Sequence, residues 1–165
     1  MGIYLMSNLT DLISAGGGAV LETVVLTKSQ TWTPPVNGTG VIHVIGGGAS
    51  GNSNEGNNGG GAGGYSRKAV TFATGTNWTI VVGAGGAGGL NQNYAAGGNS
   101  TATDGSSSLT ANGAAAGVTG GSASGGDVNF TGGSGGSTSS GSVYGGGGAV
   151  GVFANGATGT NPAGG

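Results

Sequence analysis

The sequence predicts an all-β domain in which strands alternate with long glycine-rich loops. Glycine accounts for 45 of the 165 residues, 35% of the residues are hydrophobic, and only 5% are charged. Disordered chains carry more charge and do not cluster their β-branched residues as this chain does. The chain has 3 prolines and no sustained Gly-X-Y period, which excludes collagen. We therefore expect a glycine-rich β-sandwich or β-barrel-like domain over residues 19–165.

Residues 1–18 differ from the rest of the chain and predict a separate N-terminal segment. Large apolar residues recur in it at helical spacing, and three consecutive glycines follow them. Because a helix this short is marginal by itself, we expect its apolar stripe to pack against a partner. As a short helix or an extended arm, the segment would dock or trimerise the protein through a glycine hinge. The candidate assembly residues are Leu5, Leu9, Leu12 and Ile13.

Apolar runs in the first half of the chain predict the strands. Val41–Ile45 is apolar almost throughout, as a strand buried on both faces would be. Residues 76–82 form the clearest strand, and weaker fragments lie near 107–109, 127–131 and 150–153. The other runs are Val24–Leu26, Thr31–Thr33 and Tyr65–Ala73. The side chains expected to form the core are Trp32, Ile42, Val44, Phe72, Trp78, Ile80 and Val82.

Glycines recur at every third position in several loops. The steps lie at 83, 86 and 89, at 132 and 135, and at 145, 148 and 151. A polyproline II helix has three residues per turn, so such glycines lie along one side of it, where a Cβ would clash with a close neighbour. The loops stay ordered only if nearly every backbone amide finds a partner. The spacing therefore predicts packed, polyproline II-like segments.

No pattern in the chain predicts catalysis, a cofactor or a metal site. Gly83–Gly88 satisfies G-x-G-x-x-G, but the residues after it are too few for the helix that binds a dinucleotide pyrophosphate. His43 is the single histidine and lies within an apolar strand, where a core or edge imidazole is the better interpretation than a catalytic base. The acidic residues are scattered and there are no cysteines. We therefore expect neither an enzyme nor a metalloprotein.

The charge of the chain excludes two classes of partner. Its formal net charge is -2, and the cations Lys28, Arg67 and Lys68 do not form the basic stripe that nucleic acid requires. No apolar run is long enough to span a bilayer, so we expect no membrane insertion. A surface of amides, hydroxyls and backbone suits an assembly or a carbohydrate-facing module.

Asparagine and tyrosine residues in the loops are candidates for contact with a receptor. Aromatic faces beside amide side chains are the usual chemistry for holding sugars or a flat protein surface. The alternative interpretation is that the aromatic residues anchor the glycine-rich loops internally. The candidates are Asn52, Asn54, Asn57, Asn58, Asn91, Asn93, Tyr94 and Tyr144.

Several stretches form a recognisable succession: Thr31–Pro35, Val41–Gly48, Gly59–Ser66, Trp78–Gly89 and Gly125–Gly133. This succession resembles the glycine-rich domain of bacteriophage virion proteins, which are typically tail-fibre or spike components. The opening Ser7–Ser14 is similar to the N-terminal segment of such proteins. The resemblance implies a β-rich, non-enzymatic structural or host-recognition module, often trimeric. Such a protein is assembled in the bacterial cytoplasm of the host and carried on the virion.

Three functions are consistent with these features. The first is a structural virion protein, a tail-fibre, spike or decoration subunit, that docks onto other virion proteins through its N-terminal segment and forms a homotrimer. The second is a dedicated adhesin whose loop tips bind a host glycan or an outer-membrane protein. The third is an ice-binding protein built from polyproline II helices, against which the absence of disulfides and the strong β half weigh.

Overall fold

The computed structural model of the chain describes residues 3–9, 20–52, 58–88, 93–137 and 145–160. In this part the chain forms strands and extended segments and no helix, which confirms the all-β prediction. The strands are β1 (Ile3–Leu9), β2 (Val20–Leu26), β3 (Gln30–Trp32), β4 (Gly38–Ile45), β5 (Tyr65–Phe72), β6 (Trp78–Val81), β7 (Ser100–Thr103), β8 (Ser108–Ala111), β9 (Ala123–Ser124) and β10 (Val128–Phe130).

The strands form two five-stranded sheets that pack as a sandwich. One sheet has the order β10-β5-β4-β1-β2 and the other the order β3-β6-β7-β8-β9. Neighbouring strands are antiparallel throughout. Each sheet keeps two edge strands instead of closing on itself, so the fold is the sandwich and not the barrel of the two expected architectures.

The core lies between the sheets, where alternate residues of each strand are buried. Ile42 and Val44 of β4 and Ile80 of β6 are at most 1% exposed, as expected for one face of a pleated strand. The predicted core is confirmed, with Trp32 and Val82 packed against its margin. The structure adds smaller members from the second half of the chain, whose contribution the sequence underestimated: Ala102, Leu109 and Ala111, together with Leu26 of β2.

The N-terminal segment is a strand over the residues that the structure describes, so the helical interpretation is wrong there. β1 pairs with both β2 and β4, with Leu5 in register with Val24 and Ile42 and Leu9 in register with Val20. The apolar residues of Ile3–Leu9 also fit the period of two of a strand. Strands β2 and β4 satisfy the backbone N–H and C=O groups of β1 on both sides, which stabilises it more than a short isolated helix could be stabilised by itself. Leu12 and Ile13 lie outside the described residues.

The two ends of the sandwich differ in their connections. At one end the strands are joined by short turns, in which glycines such as Gly75 (φ 84) and Gly105 (φ 89) supply the positive φ. At the other end the β4–β5, β6–β7 and β8–β9 connections are long and glycine-rich, and the chain after β10 leaves from the same end. All the glycine-rich segments that the structure describes therefore project from one end of the sandwich.

Candidate functional site

The glycine-rich segments pack side by side into a bundle beyond the end of the sandwich. Backbone hydrogen bonds join each segment to two or more others, so the described parts of these loops form an ordered array. We number the segments along the chain: segment 1 (46–52), segment 2 (58–64), segment 3 (83–88), segment 4 (93–99), segment 5 (112–114), segment 6 (118–122), segment 7 (131–136), segment 8 (145–149) and segment 9 (155–160).

The hydrogen bonds between segments recur every third residue. Segment 1 donates to segment 2 at 2.9–3.0 Å, from the N–H groups of residues 46, 49 and 52 to the carbonyls of 64, 61 and 58. Segment 7 donates to segment 6 from residues 132 and 135, and segment 9 donates to segment 7 from residues 156 and 159. A period of three with bonds only to neighbours is that of a polyproline II-type helix, as the glycine spacing predicts.

Glycine is required inside the bundle because neighbouring backbones approach too closely for a side chain. A Cβ built on Gly132 falls within 3.0 Å of the Ala62 carbonyl, and one on Gly97 falls equally close to the Gly47 carbonyl. The same overlap with a neighbouring carbonyl occurs at Gly61, Gly113 and many other positions. At these positions the glycine Cα packs directly against a carbonyl of the next segment, a contact typical of weak Cα–H···O bonds.

Polar side chains complete the backbone hydrogen bonding where the bundle meets the sandwich. Ser100, which is fully buried, accepts the N–H of Gly83 at 3.0 Å through its hydroxyl. The Asn99 amide oxygen accepts the N–H of Gly113 at 2.9 Å. The Asn155 amide oxygen accepts the N–H of Thr131 at 2.8 Å. Sequence reasoning missed these residues, because an isolated Asn or Ser gives no local signal that its partner lies far along the chain.

Within the Gly125–Gly133 stretch, the polar side chains of Asp127 in the β9–β10 turn and of Asn129 in β10 are structural. Asp127 Oδ2 accepts the N–H of Ala69 at 2.8 Å. Asn129 Oδ1 accepts from the Ser66 hydroxyl at 2.8 Å, and the Asn129 amide donates to the Gly126 carbonyl at 2.9 Å. These contacts tie the turn to β5.

The far side of the bundle, which we call the distal end, collects the ends of several segments. Segments 1, 3 and 7 leave the sandwich and segments 2, 4 and 8 return, as their antiparallel hydrogen bonds show. The described residues that flank the connecting turns meet there: Asn52 beside Asn58, and Gly136 bonded to both Gly59 and Gly145. The distal end is therefore a single surface built from several separate parts of the chain.

The structure brings together only part of the predicted receptor site. The Asn52 N–H donates to the Asn58 carbonyl at 3.0 Å, and Asn52 is only 8% exposed. Asn93 is exposed and Tyr94 is half-buried, just before Ala95, whose backbone bonds to Ser50 of segment 1. The other predicted contacts lie outside the described residues: Asn54, Asn57, Asn91 and Tyr144.

His43 and Tyr65 form the one perturbed titratable pair on the described part of the sandwich. His43 Nδ1 lies 2.6 Å from the Tyr65 hydroxyl oxygen, and Tyr65 stacks on Phe130 with ring centroids 6.2 Å apart. Burial lowers the pKa of His43, and the nearby Arg67 charge lowers it further. Burial raises the pKa of Tyr65. His43 is thus a partly buried, hydrogen-bonded imidazole, as its place in an apolar strand predicts.

The described residues bear on two further kinds of site, a metal centre and a membrane span. They contain no group of three or more histidine, cysteine or acidic residues placed to hold a metal ion. None of them belongs to a helix long and apolar enough to cross a bilayer.

Comparison with known proteins gives one match. A family model described as a glycine-rich domain matches residues 23–165. No curated protein and no solved structure matches the chain. The matched range includes all of the described strands from β3 onward and all nine segments of the bundle.

Proposed function

Because the chain belongs to the glycine-rich domain family, we propose that it is a structural protein of a bacteriophage virion, a tail-fibre, spike or decoration subunit. The observation that carries this proposal is the projection of the described glycine-rich segments from one end of the sandwich. Such a shape places one end on an assembly and presents the other to solvent or to the host. The protein acts without enzymatic chemistry and without a cofactor.

The bundle suits an exposed position on a particle. Its segments hold one another through backbone bonds of 2.7–3.2 Å and use almost no charged side chains. Contacts of this kind are insensitive to ionic strength, because screening acts on charges and not on amide hydrogen bonds. A stiff, uncharged projection also positions its surface turns accurately, which is how rigid scaffolds support binding loops.

The N-terminal side of the sandwich is the proposed contact with other virion proteins. β2 is an edge strand and exposes Val25 by 48%. Edge strands offer free N–H and C=O groups to which another chain can add a strand. Leu5 and Leu9 lie one strand further in, on β1. We propose a homotrimer held and docked through this edge, with Leu12 and Ile13 contributing from the adjoining chain.

The first test is whether the protein is on the particle and oligomeric. Size-exclusion chromatography with light scattering gives the mass of the purified chain, and gold-labelled antibodies locate it on intact virions. We expect a trimer and regular labelling at one site of the particle. A monomer that is missing from purified virions would contradict the proposal.

A second candidate function is receptor binding, and the distal end favours it. Exposed Asn93 and half-buried Tyr94 lie there beside segment 1. Purified protein should then compete with adsorption of the phage to its host. The double variant Asn93→Ala, Tyr94→Ala should lose this competition, whereas Ser106→Ala, in an exposed turn at the opposite end, should retain it. Adsorption that is unchanged by the wild-type protein leaves only the structural role.

A further inference from the structure

A groove runs along the bundle between segments 1, 2 and 8. It holds about 500 Å³, and no charged or aromatic side chain lines it. At about 3.1 Å per residue for a polyproline II helix, its floor in segment 2 is roughly 15 Å long. Residues 58–62 of segment 2 form this floor, and the walls include Gly48 and Gly51 of segment 1 and Gly146 and Gly147 of segment 8.

The groove occupies the place of a missing neighbour of segment 2. Segment 2 is hydrogen-bonded to segments 1, 5, 6, 7 and 8. Around it, segments 1 and 5, 5 and 6, 6 and 7, and 7 and 8 are bonded to each other in turn. No backbone bond joins segments 8 and 1 within the described residues. Close-packed parallel rods have six neighbours, so the gap between segments 8 and 1 is the sixth position.

The hydrogen-bond directions of segment 2 point to the same gap. In a helix with three residues per turn, successive N–H groups point in three directions and residues three apart share one. The N–H groups of Gly59 and Ala62 donate to segment 7, and that of Gly64 donates to Asn112 of segment 5. The third direction belongs to Gly60, which lines the groove. Its N–H makes no backbone bond within the described part of the chain.

The carbonyl of Ala49 provides an acceptor on the adjoining wall. In segment 1, the carbonyls of Gly47 and Gly48 accept from Ala114 and Gly86. The Ala49 carbonyl has the remaining direction and accepts no backbone bond among the described residues. An occupant of the groove therefore meets a free donor at Gly60 and a free acceptor at Ala49.

Two of the glycines that line the groove, Gly48 and Gly146, are not required by the segments already present. A Cβ built on Gly146 is 3.6 Å from its nearest heavy atom, and one on Gly48 is 3.4 Å away, both ordinary contacts. At Gly132 and Gly147, by contrast, a Cβ falls within 3.0 Å of a neighbouring carbonyl. A further segment at the spacing of the bundle would make glycine necessary at Gly48 and Gly146 as well.

We propose that the groove binds an extended, glycine-rich segment of a different protein, which completes the six neighbours of segment 2. A peptide in the polyproline II conformation supplies both the carbonyl for Gly60 and the N–H for Ala49. Glycine is needed where it faces the walls, because the spacing of the bundle leaves no room for a Cβ. The lack of lining aromatic residues disfavours a sugar. This inference does not depend on the virion role and goes beyond it.

Titration of the nitrogen-15-labelled protein with an acetylated and amidated peptide, three repeats of Gly-Gly-Ala, tests the proposal. We expect a saturable shift of the Gly60 amide resonance and slower hydrogen exchange at that amide. Gly146→Val should weaken binding roughly tenfold, since a side chain placed in a close-packed contact costs about that much. Gly88→Val is the matched control, because Gly88 is exposed, outside the groove, and its Cβ would meet nothing within 4 Å.

Four outcomes would overturn the proposal. The first is a Gly60 resonance that does not move up to about 1 mM peptide. The second is equal affinity of Gly146→Val and Gly88→Val. The third is a Gly60 shift that depends on protein concentration without peptide, which assigns the groove to a second copy of the chain. The fourth is a shift with maltooligosaccharide and none with peptide. If Gly146→Val does not fold, amide hydrogen exchange at Gly60 in the wild-type protein decides: slower exchange with the peptide supports the proposal, and unchanged exchange contradicts it.

Discussion

The hydroxyl oxygen of Tyr65 lies 2.6 Å from Nδ1 of His43 on the neighbouring strand. A neutral imidazole accepts the tyrosine hydrogen at this nitrogen, whereas the protonated ring has no lone pair to offer. Burial and the charge of Arg67 both lower the pKa of His43. The pair, with Phe130 stacked on Tyr65, therefore favours an unprotonated His43.

We expect acid to destabilise the protein through His43. The unfolded chain titrates near the ordinary histidine pKa of 6.5, and the folded protein titrates below it. Between the two values the unfolded state binds more protons, so the free energy of unfolding falls as the pH falls. The stabilisation by neutral His43 is fully present above the pKa of the unfolded chain. It is lost progressively as the pH falls from that value to the pKa of the folded protein. Urea denaturation from about pH 8 to pH 5 measures it.

The matched variant is His43→Gln, which does not titrate in this range. Its free energy of unfolding should vary less than that of the wild-type protein between the same pH values. An identical pH dependence in both proteins would assign the effect to other groups.

Burial in the sandwich core predicts a large cost for truncating Ile80. This side chain is 1% exposed between the sheets, so Ile80→Ala should lower the free energy of unfolding by about 2–5 kcal/mol. Val81, the next residue, is 41% exposed, and Val81→Ala should change it by no more than about 0.5 kcal/mol. Chemical denaturation of both variants gives the two values. Similar losses would mean that β6 does not face the core as the structure shows.

Close packing of the bundle predicts that glycine positions differ sharply in tolerance. In Gly132→Ala the new Cβ meets the Ala62 carbonyl within 3.0 Å. Because a backbone cannot rotate aside, we expect a loss of about 3 kcal/mol or more. In Gly88→Ala the Cβ meets nothing within 4 Å, and the smaller entropy of the unfolded chain should leave stability unchanged or raise it by up to about 1 kcal/mol. Equal stabilities would refute the packed bundle.

Gly105 separates backbone strain from steric contact. Its φ is 89° and an added Cβ meets nothing within 4 Å, so a substitution acts through the backbone alone. Gly105→Ala should cost roughly 1–2 kcal/mol. Gly105→Asn should cost less, since asparagine enters the left-handed region more readily. The difference in thermal or urea stability between the two variants is the measurement, and a larger loss for asparagine would contradict the explanation.

Local sequence patterns were sufficient to predict the strands of the core and the polyproline II-like conformation of the loops. Val41–Ile45 is apolar almost throughout, which was enough to predict a core strand, although the structure fully buries only Ile42 and Val44, on one face of β4, and not both faces. The glycines at 132 and 135 likewise show the three-residue step that the hydrogen bonds follow. Both patterns belong to single segments, so no knowledge of neighbours is needed to recognise them.

The N-terminal segment shows where local patterns fail. The apolar residues of Ile3–Leu9 fit a helical period and a strand period alike. Pairing with both β2 and β4 decides between them, and β4 begins some thirty residues further along the chain. The buried Ser100 and the paired Asn99 went unrecognised for the same reason, because their partners are brought to them only by the fold.

The sequence by itself determined that this protein is a charge-poor, all-β domain whose loops carry glycine at every third position. Composition and spacing along one chain are enough to decide those properties. Only the tertiary structure decided which glycines are indispensable. Gly132 and Gly146 are the same residue in similar surroundings of sequence, yet a Cβ on one meets a backbone carbonyl and on the other lies 3.6 Å from its nearest neighbour, at the edge of an open groove. The difference lies in which segments stand beside them, and that is a property of packing across the bundle.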